Sequence, residues 1–399
     1  MRNSRTISLF LRNNFYKSAA MLTLILIFIY FTWNTTRSDA ENYDWSKLEN
    51  YKLIFAHNVP EWLQIQDGID EFNDSKCPYN KCRWTTRKAE KEIADLVLFI
   101  LKYVPAENPR PPGQIYALYL FESPPHTSPV SDASAINWTI TYRSDSTIPA
   151  PYRKWIPFNP EIKQQTQNIN YAENKTKQVA WFVSNCNDKN GRLKYARELQ
   201  KHIQVDIYGK CGSLSCPRDN LKKCYDMLDR DYKFYLAFEN SNCKDYITEK
   251  LFDHALGRNI LPVVMGASQD EYTKYAPQRS FIHVDEFETP AELAQYLKVL
   301  DTNDDLYNSY FQWKGSGRVV NEHKQFMCEM CARLHDDRIM STPSWYTDIN
   351  EWWRGPGVCT TGSWRDVDIS KNFSNRYCFE FIEKSQRLHT PYSYSWMRK

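Results

Sequence analysis

From residue 51 onward, short apolar runs of strand length alternate with segments of helical periodicity, and this alternation limits the possible folds more than any other feature. In the first half, apolar runs at 51–56, 95–101 and 115–121 predict strands, and residues 86–94 allow a helix between the first two. Strands that are apolar on both faces belong in sheets that are covered on both sides. The pattern therefore predicts an α/β fold with parallel strands.

A second alternating region follows a proline-rich stretch at 147–177, which is typical of a connection between domains. Strands are predicted at 178–184, 205–208, 234–238, 260–265 and 281–284, and helices at 190–202, 246–257 and 290–300. A chain of 399 residues is also long enough for two domains. We therefore predict two Rossmann-like domains, residues 51–160 and 175–370, which face a cleft at the carboxyl ends of their strands, and a tail at 371–399.

The N-terminus has the features of a membrane anchor. Residues 18–33 carry no charge and end in bulky side chains, which a signal peptidase does not favour at its cleavage site. Four basic residues precede this stretch, and the positive-inside rule places them in the cytosol: Arg2, Arg5, Arg12 and Lys17. We predict a cytosolic tail at 1–17, a transmembrane helix at 18–33 and a stem at 34–50, with a cleaved signal peptide as the alternative.

Sequons and cysteines indicate an oxidising, lumenal environment for the remainder of the chain. The candidate glycosylation sites are Asn73, Asn137, Asn174 and Asn372. Closely spaced cysteines are candidates for disulfides of open connectivity: Cys77, Cys82, Cys328 and Cys331. The last two also have zinc-ligand spacing, with His323 and His335 nearby, so a zinc site is the alternative. The total of 11 cysteines leaves at least one without a partner in the chain.

Charge and missing motifs exclude several classes of function. The net charge is +3, with 51 basic and 48 acidic residues and no long basic run beyond the N-terminus. A nucleic-acid-binding protein concentrates positive charge on one surface, so no nucleic-acid partner is expected. The sequence lacks the GxGxxG, P-loop and GxSxG motifs, and exposed loops or helix ends explain the adjacent acidic pairs Asp304-Asp305 and Asp336-Asp337 better than a metal does. No metal site is therefore predicted.

The most informative segment is 232–266, YKFYLAFENSNCKDYITEKLFDHALGRNILPVVMG. It predicts a strand to Phe238, a polar loop at 239–245 and a helix from about Tyr246. Such a loop lies where an open sheet binds its ligand, and a helix N-terminus presents free N–H groups to an anion. Lys250 can neutralise a diphosphate without a metal, and Glu249 can accept hydrogen bonds from sugar hydroxyls. A surface Glu–Lys pair in a capping turn is the alternative.

This segment resembles the donor-binding motif of the α1,3-fucosyltransferase family, FENS-x-x-x-DYITEK. Further blocks match that family in order: FESP at 121–124, NWT at 137–139, TYRSDS at 141–146, WFVSN at 181–185 with Arg192, VDIYGKCG at 205–212 and SFIHVD at 280–285. The resemblance covers about residues 50 to 370. Residues 345–359, WYTDINEWWRGPGVC, are similar to invertebrate members that fucosylate the N-glycan core.

The resemblance implies a GT-B-like fold in which residues 51–160 bind the acceptor and residues 175–370 bind GDP-fucose. It implies an inverting α1,3-fucosyltransferase of the Golgi membrane that acts on GlcNAc of glycoprotein N-glycans, preferably the core GlcNAc. No metal would be obligatory, and a divalent cation would at most stimulate. A Lewis-type antenna is the alternative acceptor. A transferase for another GDP- or UDP-sugar and a non-catalytic sugar-binding membrane protein are the alternative functions, and the oligomeric state is left open.

Roles for single residues follow from the same resemblance. Glu122, at the end of a predicted strand, is the candidate general base, with a strand-end carboxylate facing water as the alternative. Arg192 and Lys250 are candidates for stabilising the leaving GDP, with a solvated helix residue as the alternative for Arg192. The full set of candidate donor-binding residues is Arg192, Lys210, Asn240, Ser241, Tyr246, Glu249 and Lys250.

Cys186 and Cys243 follow two predicted strands of the second domain. Both cysteines therefore fall at the carboxyl edge of one sheet, and a disulfide between them would hold the loop at 239–245 in place. We predict this bridge, with two separate buried thiols as the alternative.

Overall fold

The computed structural model describes residues 50–105, 108–216, 220–321 and 325–366. The predicted cytosolic tail, transmembrane segment and nearly all of the stem lie outside these residues, as do the sequon at Asn372 and the cysteine Cys378. Within the described ranges, no helix has both the length and the apolar character needed to cross a bilayer.

The secondary structure alternates as the sequence predicts. The strands are β1 Lys52–His57, β2 Cys82–Thr85, β3 Leu96–Ile100, β4 Ile115–Leu120, β5 Trp138–Thr141, β6 Ile148–Pro149, β7 Lys154–Pro157, β8 Lys177–Phe182, β9 Val205–Tyr208, β10 Tyr232–Phe238, β11 Asn242–Cys243, β12 Leu261–Met265, β13 Ile282–His283, β14 Gly317–Val320 and β15 Cys359–Thr360. The α-helices are α1 Asp70–Asp74, α2 Arg192–Leu199, α3 Leu221–Asp231, α4 Glu249–Leu251, α5 Gln269–Tyr275, α6 Pro290–Thr302, α7 Asp304–Asn308, α8 Gln325–Leu334, α9 Asp337–Ser341 and α10 Ile349–Arg354.

The first sheet has six parallel strands in the order β2-β1-β3-β4-β5-β6. Every residue of β3 and β4 is buried, because both faces of the sheet are covered. One face packs against α8 through Phe326 and Met330, and the other packs against α10 through Trp353. The predicted α/β fold with parallel strands is confirmed for this half of the chain.

The second sheet has five parallel strands in the order β13-β12-β10-β8-β9. Its central strand β10 is buried throughout. Helices α2 and α6 cover one face through residues such as Leu199 and Leu297, and the segment from α4 onward covers the other through Leu251 and Ala255. The predicted helix at 246–257 begins later, at Glu249, and continues as a π-helix at Phe252–Leu256. Residues 244 and 245 form a turn instead, in which Asp245 has a φ of 57°.

The chain returns to the first sheet after the second is complete. Helix α8 packs against the first sheet and is joined to it by the disulfides Cys77–Cys328 and Cys82–Cys331. The predicted domain at 175–370 therefore contains segments that belong to the core of the first. Amphipathic periodicity shows that a helix packs on a sheet but not on which one. These four cysteines are confirmed as disulfide residues, so the Cys328–Cys331 spacing does not supply zinc thiolates.

Cys186 and Cys243 also form disulfides, but the predicted bridge between them is wrong. Cys186 pairs with Cys211, and Cys243 pairs with Cys359. Strand β8 lies between β10 and β9, and its loop bends towards the end of β9, where Cys211 lies. Cys243 lies in β11, directly opposite Cys359 of β15 in an antiparallel pair. A fifth disulfide joins Cys216 to Cys224.

Candidate functional site

The carboxyl ends of the two sheets meet, because the loops after β4 and β5 contact the loop after β10. Ser123 Oγ lies 2.9 Å from Ser241 Oγ and 3.4 Å from Asn240 Oδ1. The backbone N–H and the hydroxyl of Ser144 both donate to Asp245 Oδ2 at 2.8 Å. The ligand-binding edges of both sheets therefore border one site.

Glu122 lies at this junction, two residues beyond the end of β4. Its side chain is exposed, and its Oε2 accepts a hydrogen bond of 3.3 Å from the Tyr246 hydroxyl. Burial raises the pKa of Tyr246, and the negative charge of Glu122 contributes in the same direction, so Tyr246 remains a hydrogen-bond donor. The carboxylate of Glu122 is therefore held by one neighbour and accessible to a ligand.

Lys250 lies deeper and has several partners. Its Nζ is 2.9 Å from Glu239 Oε2, 3.1 Å from Glu249 Oε1 and 2.8 Å from Thr248 Oγ1. Burial favours a lower pKa for Lys250, but the two carboxylates outweigh it and raise the pKa. Thr248 ends the preceding loop as the N-cap of α4 and donates both its N–H and its hydroxyl to Glu239 at 2.8 Å.

Glu239 is fully buried beneath this lysine, and sequence reasoning did not single it out. Burial raises the pKa of Glu239, whereas Lys250 and the Thr248 N–H oppose that shift. We assign an ion pair, because Lys250 Nζ lies 2.9 Å from Glu239 Oε2, and the Thr248 N–H and hydroxyl also donate to this carboxylate and stabilise its ionised form. Gly266 passes over it with a φ of 158°, and a Cβ there would lie 2.6 Å from Glu239 Cγ. The sequence did contain a signal for Glu239, because this residue belongs to the FENS block.

Arg192 begins α2 and is 3% exposed, so the alternative of a solvated helix residue does not hold. Its Nη1 donates to the Phe238 carbonyl at 2.6 Å, and its Nη2 donates to the Asn185 carbonyl at 2.9 Å. The guanidinium therefore lies between the loops after β8 and β10. Its Nε is buried and has no hydrogen-bond partner among the described residues.

A cavity of about 720 Å³ opens at the carboxyl edge of the second sheet, and its lining includes Gly191, which precedes Arg192, and Gly266, which packs on Glu239. It is lined by the start of α2, by the ends of β12 and β13, and by the chain at 361–366. That last segment belongs to residues 359–366, which we name the C-terminal strap. The Cys243–Cys359 disulfide and the β11–β15 pairing attach the strap to the loop that follows β10.

The far end of the C-terminal strap is attached to two other strands of the second sheet. The Trp364 indole N–H donates to the Gly266 carbonyl at 2.8 Å, just beyond β12. The Ser363 hydroxyl and the Trp364 backbone N–H donate to the Asp285 carboxylate, just beyond β13. The strap therefore forms a wall of the cavity, and no sequence pattern indicated this, because its contacts join residues about 80 to 120 positions apart.

The remaining predicted donor-binding residues differ in their burial and in their position relative to the site. Asn240 and Ser241 are buried where the two sheets meet, and Glu249 is partly exposed beside Lys250. Lys210 is exposed in the turn after β9, the edge strand of the second sheet, and the structure does not bring it to Lys250 or Arg192.

The sequons also differ in accessibility. Asn73 and Asn174 are exposed on the surface. Asn137 is buried, its Oδ1 accepts from the Tyr116 N–H at 3.0 Å, and its Nδ2 donates to the Ser344 carbonyl at 3.1 Å. The side-chain nitrogen of Asn137 is therefore enclosed in the folded chain, and the accessible sequons of the described residues are Asn73 and Asn174.

Comparison with known proteins identifies the family. The family model "Fucosyltransferase, N-terminal" matches residues 43–153, and the model "Glycosyltransferase family 10 (fucosyltransferase) C-term" matches residues 172–352. The chain is 53% identical over 323 residues to glycoprotein 3-alpha-L-fucosyltransferase A of Drosophila melanogaster, covering 80% of this chain but 64% of that relative. It is 38% identical to alpha-(1,3)-fucosyltransferase C of the same organism, covering 72% of each chain.

A crystal structure of an alpha1,3-fucosyltransferase with GDP-fucose aligns with a TM-score of 0.47 at 16% identity, covering 72% of this chain and 91% of that one. The family assignment rests on the sequence matches. The two family models match separate, consecutive parts of the chain, and the second relative matches over most of its own length. This chain therefore belongs to glycosyltransferase family 10, the fucosyltransferases.

Proposed function

We propose that this protein is an inverting α1,3-fucosyltransferase, which transfers L-fucose from GDP-β-L-fucose to O3 of a GlcNAc in glycoprotein N-glycans. The observation that carries the proposal is the position of Glu122, an accessible carboxylate held by Tyr246 where the two sheets meet. The 53% identity to a glycoprotein 3-alpha-L-fucosyltransferase supports fucosyl transfer to a glycoprotein, and the core GlcNAc of its N-glycans is the acceptor that we propose. In this proposal the fold is GT-B-like, with the acceptor on the first sheet and the donor on the second.

In the proposed reaction, the O3 hydroxyl of GlcNAc attacks the anomeric carbon of fucose from the face opposite the GDP. Glu122 accepts the proton of that hydroxyl as the new C–O bond forms. The bond between fucose and GDP breaks in the same displacement, so the β-linked donor gives an α-linked product. Tyr246 orients Glu122 through its 3.3 Å hydrogen bond.

The donor would occupy the 720 Å³ cavity and the adjoining loop, a volume within the usual range for small-molecule sites. The guanosine would lie against the C-terminal strap, and the diphosphate would face Lys250 and Arg192. Asn240, Ser241 and Tyr246 would contact the sugar side of the donor, and Lys210 would contribute only from the periphery.

A phosphate oxygen can bind Lys250 only if one of the present partners of Lys250 moves away, and Glu249 is the partner that can do so. Glu249 has a side chain that is 39% exposed, whereas Glu239 is fully buried, so Glu249 is the partner that can leave. We infer that donor binding turns Glu249 towards the fucose hydroxyls and places a phosphate oxygen on Lys250. Glu239 would keep Lys250 charged and fixed throughout.

The proposed location is the Golgi membrane, with a single anchor at 18–33 and the catalytic body in the lumen. The support is the uncharged N-terminal stretch and the five disulfides of the described residues, which require an oxidising compartment.

The test is a soluble form of the chain, beginning at about Asn42, incubated with a panel of sugar nucleotides and glycans. We expect turnover of GDP-fucose and not of GDP-mannose or UDP-sugars. We also expect transfer to N-glycans with an accessible core GlcNAc in preference to Galβ1,4GlcNAc antennae. Consumption of another sugar nucleotide, or binding of GDP-fucose without turnover, would contradict the proposal.

A further inference from the structure

Trp62 is a large apolar side chain at the carboxyl edge of the first sheet that is only about half covered by the protein. It follows β1, and 51% of its surface is exposed. The loop around it is anchored: the Leu63 N–H donates to the Pro60 carbonyl at 3.0 Å, and Leu63 and Ile65 are buried in the core. The anchored loop therefore fixes the outward position of the indole.

A row of aromatic rings connects Trp62 to Glu122. The ring centroids are 6.1 Å apart for Trp62 and Phe121, 4.0 Å for Phe121 and Tyr152, and 6.3 Å for Tyr152 and Tyr246. The Tyr246 hydroxyl then reaches Glu122 at 3.3 Å. Trp62 is thus the exposed end of an aromatic row whose other end, the buried Tyr246, holds the candidate base.

The chemistry of a glycan fits the exposed indole face of Trp62. A pyranose ring with equatorial hydroxyls presents a face of C–H groups, which is apolar and slightly positive. The face of an indole is apolar and carries the negative part of its quadrupole, so the two faces attract each other and exclude water. Sites for small ligands combine aromatic walls of this kind with a few polar groups that fix orientation.

We propose that Trp62 is a binding platform for the acceptor glycan, on which a hexopyranose ring next to the reacting GlcNAc stacks. This inference rests on the proposed transfer to a glycan acceptor, and it adds a contact remote from the reacting atoms. Trp62 touches the acceptor and takes no part in the proton transfer. Its contribution is therefore to the affinity for the acceptor and not to the chemical step.

The experiment compares Trp62→Ala, Trp62→Leu and Trp62→Phe in steady-state assays with GDP-fucose and an N-glycan acceptor. We expect Trp62→Ala to raise the acceptor KM roughly tenfold, with kcat and the KM for GDP-fucose near the wild-type values. Trp62→Phe should keep most of the affinity because it retains a ring face. Trp62→Leu should resemble Trp62→Ala because it retains apolar surface without a ring.

A matched control is Trp345→Ala, because Trp345 is also exposed (67%) but lies at the other edge of the sheet. The backbone N–H of its neighbour Tyr346 donates to the Ile136 carbonyl, just before β5, at the amino edge. Trp345→Ala should leave the acceptor KM unchanged. Given an active wild type, three results would overturn the inference. They are an unchanged acceptor KM in Trp62→Ala, a fall in kcat without a change in the acceptor KM, or the same acceptor KM in Trp62→Leu and Trp62→Phe. A wild-type chain that transfers no fucose to any glycan would instead refute the proposed function.

Discussion

Single residues in this site are held in opposite ways, according to the chemistry proposed for them. Glu122 is exposed beside one tyrosine hydroxyl, which suits a group that must meet an incoming hydroxyl. Lys250 is fixed by the buried Glu239 and by Thr248, which suits a counter-charge that must not move during the reaction.

The first residue-scale prediction concerns Glu122→Gln. The amide keeps the shape of the side chain but cannot accept the proton, so kcat should fall on the order of 10²-fold or more. The affinity for GDP-fucose should stay near the wild-type value, because Glu122 follows β4 of the first sheet, which we propose binds the acceptor. Steady-state kinetics and calorimetric GDP-fucose binding check both parts, and turnover within a few-fold of wild type would exclude Glu122 as the base.

The second residue-scale prediction concerns His283, which is buried at the cavity. Its Nδ1 accepts from the Asp285 N–H at 3.1 Å, so the ring is neutral with its proton on Nε2, facing the Ala267 carbonyl. Burial lowers the pKa of His283 below the ordinary 6.5, although the Ala267 carbonyl and Asp285 oppose this. The unfolded chain therefore binds the proton more tightly than the folded protein, and stability is lost as pH falls below 6.5.

In His283→Asn, an amide oxygen can take over the contact with the Asp285 N–H without titrating. We expect its unfolding free energy to fall less than that of wild type between about pH 7 and pH 5, as measured by urea denaturation. Parallel losses in the two proteins would show that His283 does not carry this pH dependence.

Secondary-structure elements explain what the sequence could predict and what it could not. The buried strands β4, β9 and β10 were located closely, because apolar runs of strand length are a local signal. The return of α8 to the first sheet and the pairing of Cys186 with Cys211 depend on the spatial neighbours of each element. Glu122 and the FENS loop could be singled out because each belongs to a local sequence block. The C-terminal strap was missed because its contacts are with residues far away in the sequence.

The element-scale prediction concerns the Cys243–Cys359 disulfide. Replacing both cysteines by alanine frees the C-terminal strap from the loop after β10, so the KM for GDP-fucose should rise several-fold while the acceptor KM stays unchanged. The bridge closes a loop of 116 residues, and the free energy of unfolding should fall by about 2–4 kcal/mol. Enzyme kinetics and denaturant unfolding measure the two effects.

The matched control removes Cys216 and Cys224, which are only 8 residues apart. It should leave the KM for GDP-fucose unchanged. An equal rise in both double variants would mean that the donor site responds to general loss of stability and not to release of the strap.

At the scale of the whole molecule, charged contacts hold the two sheets together around the site. Lys244 Nζ lies 3.0 Å from Asp145, and the Arg153 guanidinium lies 2.8 Å from Asp253. Arg143 is 3% exposed, pairs with Asp145 and stacks over Trp352 of the returning α10. The carboxyl edges of both sheets are thus kept in contact, as a reaction between two bound substrates requires.

The proposed counter-charges predict behaviour towards chelators. Lys250 and Arg192 would balance the diphosphate, so EDTA should leave substantial fucosyl transfer. Complete loss of activity that added metal restores would show that a cation carries the counter-charge. The double variant Glu239→Gln/Lys250→Met, which leaves no buried unpaired charge, should weaken GDP binding measured by calorimetry, whereas Lys222→Ala, on the exposed surface of α3, should not.

The central claim is tested most directly by the structure of the product. Wild-type protein should convert GDP-β-L-fucose and an N-glycan into a glycan whose new fucose is α-linked to O3 of a GlcNAc, as determined by NMR of the purified product. A β-linked fucose, a different position of attachment, or free fucose as the sole product would contradict the account.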